Sequence, residues 1–238
     1  MEREIRTFGK IFKLKLRNEG DFVIANELFL DHQYRFCDEV IKNAKNCIID
    51  IGGHLGFFSI MASALNPDVV IYSYEPHIGN FGVLKENLKA NHIKNVAAKQ
   101  LAVSDKAGET ELLLSKEDLN HSLTKAIEPT GETQKVQATT LERIFQKNKI
   151  GKCDLLKLDC EGSEYAIIYS APKDIFKKID NIFLEYHDWA CPPKLQCRRM
   201  EGENSEKLKN YLKNLGYKVQ KFPNAKMPEL GFLWCTSR

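Results

Sequence analysis

The chain predicts an α/β fold in which a mainly parallel sheet carries helices on both faces. Three observations point there. Short apolar runs of strand length alternate with helix-compatible segments along most of the sequence. The run Ile48-Ile49-Asp50-Ile51 passes straight into the glycine turn Gly52-Gly53-His54-Leu55-Gly56 and then into a helix-compatible segment. The next run, Val69-Val70-Ile71-Tyr72-Ser73-Tyr74, stops at Glu75-Pro76, a second carboxylate about 20 residues on.

From the start of the chain, Phe12, Leu14 and Leu16 alternate with Lys13, Lys15 and Arg17. The turn residues Asn18-Glu19-Gly20-Asp21 then lead into Phe22-Val23-Ile24-Ala25, which predicts a hairpin set before the main domain. Residues 34–44 predict a short helix, so 1–45 form an N-terminal extension and 46–238 the domain. In the domain, a strand at 47–51, a helix at 56–65, a strand at 69–74 and a helix at 77–91 follow in turn. Pro76 suits the start of that second helix. A strand near 95–101 comes next.

There the rhythm breaks. Residues 110–114 predict an extra strand after the turn Asp105-Lys106-Ala107-Gly108, and polar residues 115–134 predict a long loop of the kind that covers binding sites. A short strand at 136–140, a helix at 141–148, a strand at 154–159, a helix at 163–169 and a strand at 181–186 restore the pattern. A helix at 204–215 and strands at 216–222 and 230–236 close the sheet, the last two as an antiparallel edge pair.

The 238 residues, 43% hydrophobic and 28% charged, suit one globular domain with a sizeable core. No apolar run approaches the roughly 20 residues that cross a bilayer, and the first residues lack a signal-peptide core. The seven cysteines are an odd number, and Cys47, Cys153 and Cys160 in or beside strand runs predict buried thiols in a reduced, cytoplasmic setting. The spacing of His187, Cys191 and Cys197 matches no zinc pattern. Residues 194–226 carry nine Lys/Arg against three Glu in a chain of net charge +3. Leu208, Tyr211, Leu212 and Leu215 repeat at helical spacing among those lysines, so a solvated helix face is the first reading and recruitment of an acidic acceptor the second. Interleaved aromatics are missing, so nucleic acid is not expected as a partner.

Ligands of open α/β sheets bind beyond the carboxyl ends of the strands. Two acids flanking a glycine turn fit S-adenosylmethionine (SAM) better than a dinucleotide, because Asp50 can face the cationic methionine end and would repel a pyrophosphate. His54 also stands where a dinucleotide turn would have its second glycine. Glu75 is expected to hold the ribose hydroxyls, with a backbone cap as its plainer role. Asp105 is first a turn residue, although its neighbourhood should pass near the adenine. The cluster Asp159-Cys160-Glu161-Gly162-Ser163-Glu164 holds more acid than a helix cap needs. Asp159 is expected to face the crevice and orient an acceptor or serve as base, and His187 after the next strand is the other candidate base. Glu161 and His121, the latter on the long loop, are candidates for acceptor contacts. A divalent metal is compatible with this set without being required, and none is assigned.

The motif set resembles that of the FkbM-type methyltransferases. The residues that carry the likeness are Ile49-Asp50-Ile51-Gly52-Gly53-His54-Leu55-Gly56-Phe57-Phe58-Ser59, Tyr74-Glu75-Pro76, 87–91, Ala102-Val103-Ser104-Asp105-Lys106-Ala107-Gly108, 139–142, 156–164 and Glu185-Tyr186-His187. The resemblance implies a class I, Rossmann-like methyltransferase that uses SAM and methylates a hydroxyl of a sugar, polyketide or other small molecule. Asp50, Gly52, Gly53, His54, Gly56, Glu75, Val103, Ser104 and Asp105 would then hold the cofactor. The family usually has Ala-Asn where this chain has Gly53-His54, and the ends of the chain carry no likeness, which leaves acceptor choice to them. Transfer to nitrogen or carbon, a nucleic-acid acceptor, and a SAM-binding scaffold without catalysis are the rival readings.

Overall fold

The computed structural model describes residues 1–116, 121–124, 129–188 and 204–237. The chain runs β1 (Glu2–Thr7), β2 (Lys10–Lys15), α1 (Glu19–Phe29), α2 (Arg35–Asn43), β3 (Cys47–Ile51), α3 (Phe57–Leu65), β4 (Val70–Tyr74), α4 (Ile78–Ala90) and β5 (Val96–Lys99). It continues through β6 (Ala102–Val103), β7 (Gly108–Ser115), β8 (Pro129–Thr139), α5 (Leu141–Lys147), β9 (Leu155–Leu158), α6 (Glu164–Ser170) and α7 (Lys173–Phe176). β10 (Asn181–His187), α8 (Ser205–Asn214), β11 (Tyr217–Pro223) and β12 (Leu230–Ser237) complete it.

Seven strands form the central sheet in the order β11-β12-β10-β9-β3-β4-β5. β10, β9, β3, β4 and β5 run parallel to one another, and β12 runs antiparallel to both β10 and β11, so the expected antiparallel edge pair is present. Successive side chains of a strand face opposite ways. Ile49, Leu156, Leu158, Ile182 and Leu184 accordingly pack with Ile144, Ile168 and Leu208 on one face. Ile48, Leu155, Ile71 and Phe183 pack with Phe29, Ile41, Ile60 and Leu84 on the other.

The N-terminal hairpin differs from the expected one. Its strands are β1 and β2, turning through Phe8 and Gly9, both at positive φ. Residues 22–25, expected as its second strand, lie in α1. The Asn18 side chain caps that helix by accepting from the Asp21 backbone, and Asp21, Ala25, Leu28 and Phe29 are buried at helical spacing. The outer edge of β2 is closed by two asparagines a turn apart, one in α4 and one capping its end. Asn87 and Asn91 each accept from one backbone N–H of β2, at Lys15 and Lys13, and donate to the same residue's carbonyl.

The middle also differs. β8 begins at Pro129 and pairs antiparallel with β7, so residues 129–134, expected as loop, are strand. Together with β6 they make a separate three-stranded sheet. The short α7 had no sequence counterpart. In α8, Leu208 and Leu212 are buried, and Glu206 pairs with Lys209 and Lys221, which agrees with the solvated-face reading there. Lys194, Arg198, Arg199, Cys191 and Cys197 lie outside the described residues. Cys37, Cys47, Cys153 and Cys235 are buried free thiols, and Cys160 is half-buried. Among the described residues, no helix is long and apolar enough to cross a membrane.

Candidate active site

The sheet order places a crevice where the topology reverses. After β3 the chain moves outward through β4 and β5, then returns to β9 and β10 on the other side. A ligand site is therefore expected beyond the carboxyl ends of β3 and β9. Gly52 and Asp159 follow those two strands. Gly52 has φ +83°, and a Cβ there would overlap the Asp159 carbonyl oxygen, so only glycine lets the two ends meet. At Gly53 a Cβ would strike the Ser73 hydroxyl. What the two glycines make room for is thus mainly the protein's own backbone and side chains.

A cavity of about 850 Å³ opens above this junction, near the top of the roughly 300–1,000 Å³ usual for small-molecule sites. Gly52, Gly53, His54 and Glu75 border one end, and Asp159, Glu161, Glu185 and His187 the other. Tyr34 and Phe58 wall it from the side.

At the first end, the Glu75 carboxylate accepts backbone N–H bonds from His54 and His77, each 2.9 Å long. Burial outweighs those bonds and pushes its pKa up to about 7. His54 has φ +47° and turns its ring away toward Arg17, whose guanidinium lies 2.9 Å from Nε2. Burial, then the Arg17 charge, lower its pKa to about 3, so the ring is neutral. Val103 lines the cavity. Gly56 does not; it starts α3 at φ +87°. Ser104 and Asp105 bond each other at 3.0 Å and lie outside the cavity lining.

Asp50 is placed otherwise than expected. It is wholly buried and accepts from Ser59 at 2.7 Å and Ser73 at 3.1 Å, with Lys157 Nζ 3.3 Å from its other oxygen. A wholly buried carboxylate with one oxygen bonded by two serines and the other paired with a lysine, and absent from the cavity lining, is a support of the glycine turn and does not face a ligand. Lys157 is the hinge of this arrangement. It donates to the Gly52 carbonyl at 2.9 Å and stands 3.6 Å from Asp159. Burial would lower its pKa, but Asp50 and Asp159 hold it above the usual lysine value.

At the second end, Asp159 accepts from the Tyr34 hydroxyl at 3.2 Å. Burial would raise its pKa, yet Lys157 and then His187 keep it below the usual carboxylate value. His187 is 3% exposed, with Nδ1 3.3 Å from Glu164 and Nε2 3.7 Å from Glu161. Burial would lower its pKa, but those two carboxylates raise it well above the usual histidine value. The two carboxylates favour the charged ring, which counts against the expected role of base. Glu161 is itself in the left-handed region, φ +54°, and its carbonyl accepts from Ser122 at 2.6 Å and Thr124 at 3.1 Å. Burial pushes Glu161 up to about 7 and Glu185 up to about 8, with their acidic neighbours adding to both. His121 lines the cavity beside His77, ring centroids 4.2 Å apart.

Tyr34 and Lys157 are site residues that the sequence did not single out. A lysine inside the otherwise apolar run 155–158 was a readable signal of a buried partner. Tyr34 offered none.

The glycine turn keeps the cavity floor at backbone level, and Glu75 is a carboxylate that could accept from ligand hydroxyls. Comparisons with known proteins identify the family. The profile of a family described as "Methyltransferase FkbM domain" matches residues 50–219. "Methyltransferase 1" of Beauveria bassiana (strain ARSEF 2860) is 22% identical over 184 residues, which cover 69% of this chain and 73% of that protein. "31-O-demethyl-FK506 methyltransferase FkbM" of Streptomyces tacrolimicus is 24% identical over 195 residues, 69% of this chain and 74% of that one. Among solved structures, the METTL16 MTase domain superposes with a TM-score of 0.52 at 14% identity, covering 88% of this chain and 68% of that one. An rRNA methylase from Streptococcus thermophilus gives 0.51 at 8% identity, covering 86% and 95%. At such identities these two likenesses speak for the fold alone: an α/β class I methyltransferase fold.

Proposed function

The chain belongs to the FkbM methyltransferase family, and from that premise we propose that it methylates a hydroxyl of an uncharged small molecule. Its cofactor is SAM. When bound, SAM supplies a sulfonium methyl: an acceptor oxygen lone pair forms the new O–CH3 bond, and the S–CH3 electron pair stays on sulfur.

The observation that carries the proposal is the acidic end of the cavity. Asp159, Glu161 and Glu185 line it together with His187. Asp159, held ionised by Lys157, only accepts hydrogen bonds, so it suits an O–H donor and repels an anion. A protonated amine would bind there too, but without a lone pair it cannot attack. An acidic acceptor, one use suggested by the basic C-terminal segment, does not suit this lining. Asp159, fixed by Tyr34 and Lys157, orients the acceptor hydroxyl, and the surrounding carboxylates receive its proton. His187 positions Glu161. Acceptor choice falls to the two ends of the chain, because Ile24, Glu27, Leu28 and Gln33 of the 1–45 extension, and Met227 and Leu230 near the other end, line the same cavity.

The test is a product screen. Purified protein and SAM are offered panels of polyols, secondary alcohols and amines, and demethylated cofactor is measured. Turnover is expected with alcohols, falling about 10²–10⁴-fold in Asp159→Asn while SAM still binds. Turnover of amines alone would overturn the hydroxyl assignment, and SAM binding with no turnover on either panel would favour a scaffold.

A further inference from the structure

We propose that Asp159, Glu161 and His187 bind a divalent cation at the acceptor end of the cavity. One ligand atom from each lies within 4.8 Å of the other two, and all three residues line the cavity. They are contributed by two neighbouring strands: Asp159 and Glu161 follow β9, and His187 ends β10. Ligand atoms about 2.0–2.2 Å from a shared ion stand roughly 3–4 Å apart, and His187 Nε2 is 3.7 Å from Glu161 Oε2.

The imidazole is held as a ligand would be. Its Nδ1 faces Glu164 Oε1 at 3.3 Å, which leaves Nε2 on the side of Glu161. A metal-binding histidine commonly places its second nitrogen against a carboxylate in this way. Glu164 is wholly buried, and its Oε2 has no hydrogen-bond partner among the described residues. Glu161 is set by its backbone: Ser122 and Thr124 grip the carbonyl of a residue in the left-handed region.

Charge favours a cation as well. Asp159, Glu161, Glu164 and Glu185 gather around His187, and the nearby Lys157 is shared with Asp50. Two carboxylates and one imidazole, with cavity space for further ligands, form a mixed oxygen and nitrogen set. Such a set suits Mn²⁺ or another first-row divalent ion and lacks the thiolates of structural zinc sites.

The role of the ion rests on the methyltransferase reading and deepens it. On binding, it displaces the His187 ring proton to solvent. The acceptor hydroxyl oxygen then enters as a further ligand, which lowers its pKa. The cation's charge also drives the Glu185 carboxyl proton to solvent; the acceptor's proton then passes to Glu185, the cavity carboxylate outside the ligand set, and the oxygen keeps the lone pair that forms the O–CH3 bond.

Chelator-treated full-length protein, with SAM present, is titrated with Mn²⁺ and followed by electron paramagnetic resonance and calorimetry. One Mn²⁺ per chain is expected, with uptake weakened about tenfold or more in Glu161→Gln while SAM affinity stays within about twofold. Should Glu161→Gln fail to fold, Asp159→Asn gives the same comparison. Wild type that takes up no Mn²⁺, or variants that bind it unchanged, would overturn the site and leave an ion pair only. The SAM titration separates the two readings: SAM binding without Mn²⁺ removes the cation and keeps the methyltransferase, whereas loss of both removes the pair.

Discussion

Arg17 and His54 are joined by a 2.9 Å hydrogen bond between Nη2 and Nε2, which ties the N-terminal extension to the turn after β3. A guanidinium only donates, so Nε2 accepts and the ring proton sits on Nδ1. The same guanidinium forms a two-armed pair with Asp21, at 3.0 and 2.8 Å, and reaches Asn80 on α4. One side chain thereby connects α1, the glycine turn and the helix after Glu75.

Arg17→Met should therefore be costly. Asp21 has a wholly buried side chain and would lose its counter-charge, a change worth about 3–5 kcal/mol. Urea unfolding measures it. A loss under about 1 kcal/mol would mean that the cluster contributes little.

His54 should give acid sensitivity of known sign. Its folded pKa is about 3, below the ordinary 6.5, so between those values the unfolded chain binds a proton that the folded chain does not. Its contribution is full above about pH 6.5 and fades as pH falls toward 3. Between about pH 7.5 and 5 the expected loss is about 2 kcal/mol, and His54→Gln should remove that part of the slope. An unchanged slope in the variant would place the acid sensitivity elsewhere.

Glu75→Ala should weaken SAM binding by roughly 1.5–3 kcal/mol, the worth of hydrogen bonds to a charged group. With the carboxyl at about pKa 7 in the ligand-free protein, hydroxyl donors that favour the ionised form should release a proton on binding. SAM affinity should then rise from about pH 6 to 8, and calorimetry in two buffers of different ionisation heat counts the proton. An affinity flat over that range would assign the ribose to another residue.

Gly52→Ala should lose both fold stability and SAM binding, because a Cβ there overlaps the Asp159 carbonyl at a positive φ. Gly82, inside α4, where an added Cβ would meet nothing beyond its own helix, is the matched control. Gly82→Ala should stabilise by about 0.4–1 kcal/mol and leave binding alone. Melting curves with and without SAM check both, and equal behaviour of the two variants would discount the close approach at Gly52.

Where burial is two-sided, the sequence was easy to read. The runs that became β3, β4, β9 and β10 are apolar on both faces and end at turns. α1 misled because Phe22-Val23-Ile24-Ala25 looks like a strand in isolation, while the Asn18 cap and the buried Leu28 and Phe29 only make sense over the whole helix. The first half of β8 carries no apolar alternation, since it is exposed and held by its pairing with β7. In the site, Glu75 and Asp159 sit at the cavity as strand-end acids can. Asp50 does not, because three partners distant in sequence, Ser59, Ser73 and Lys157, claim its oxygens. No local pattern reveals which way such a carboxylate turns.

Lys157 also bears on how two ligands share the cavity. One ammonium reaches the Gly52 carbonyl beside the cofactor end and Asp159 at the acceptor end. A molecule that draws on Asp159 alters the grip of Lys157 on the turn, and a molecule seated on the turn alters the charge felt by Asp159. Free-energy coupling of this kind is reciprocal: each ligand changes the affinity of the other by the same factor. Methyl donor and acceptor should therefore bind cooperatively, each reporting the presence of the other through a single buried nitrogen.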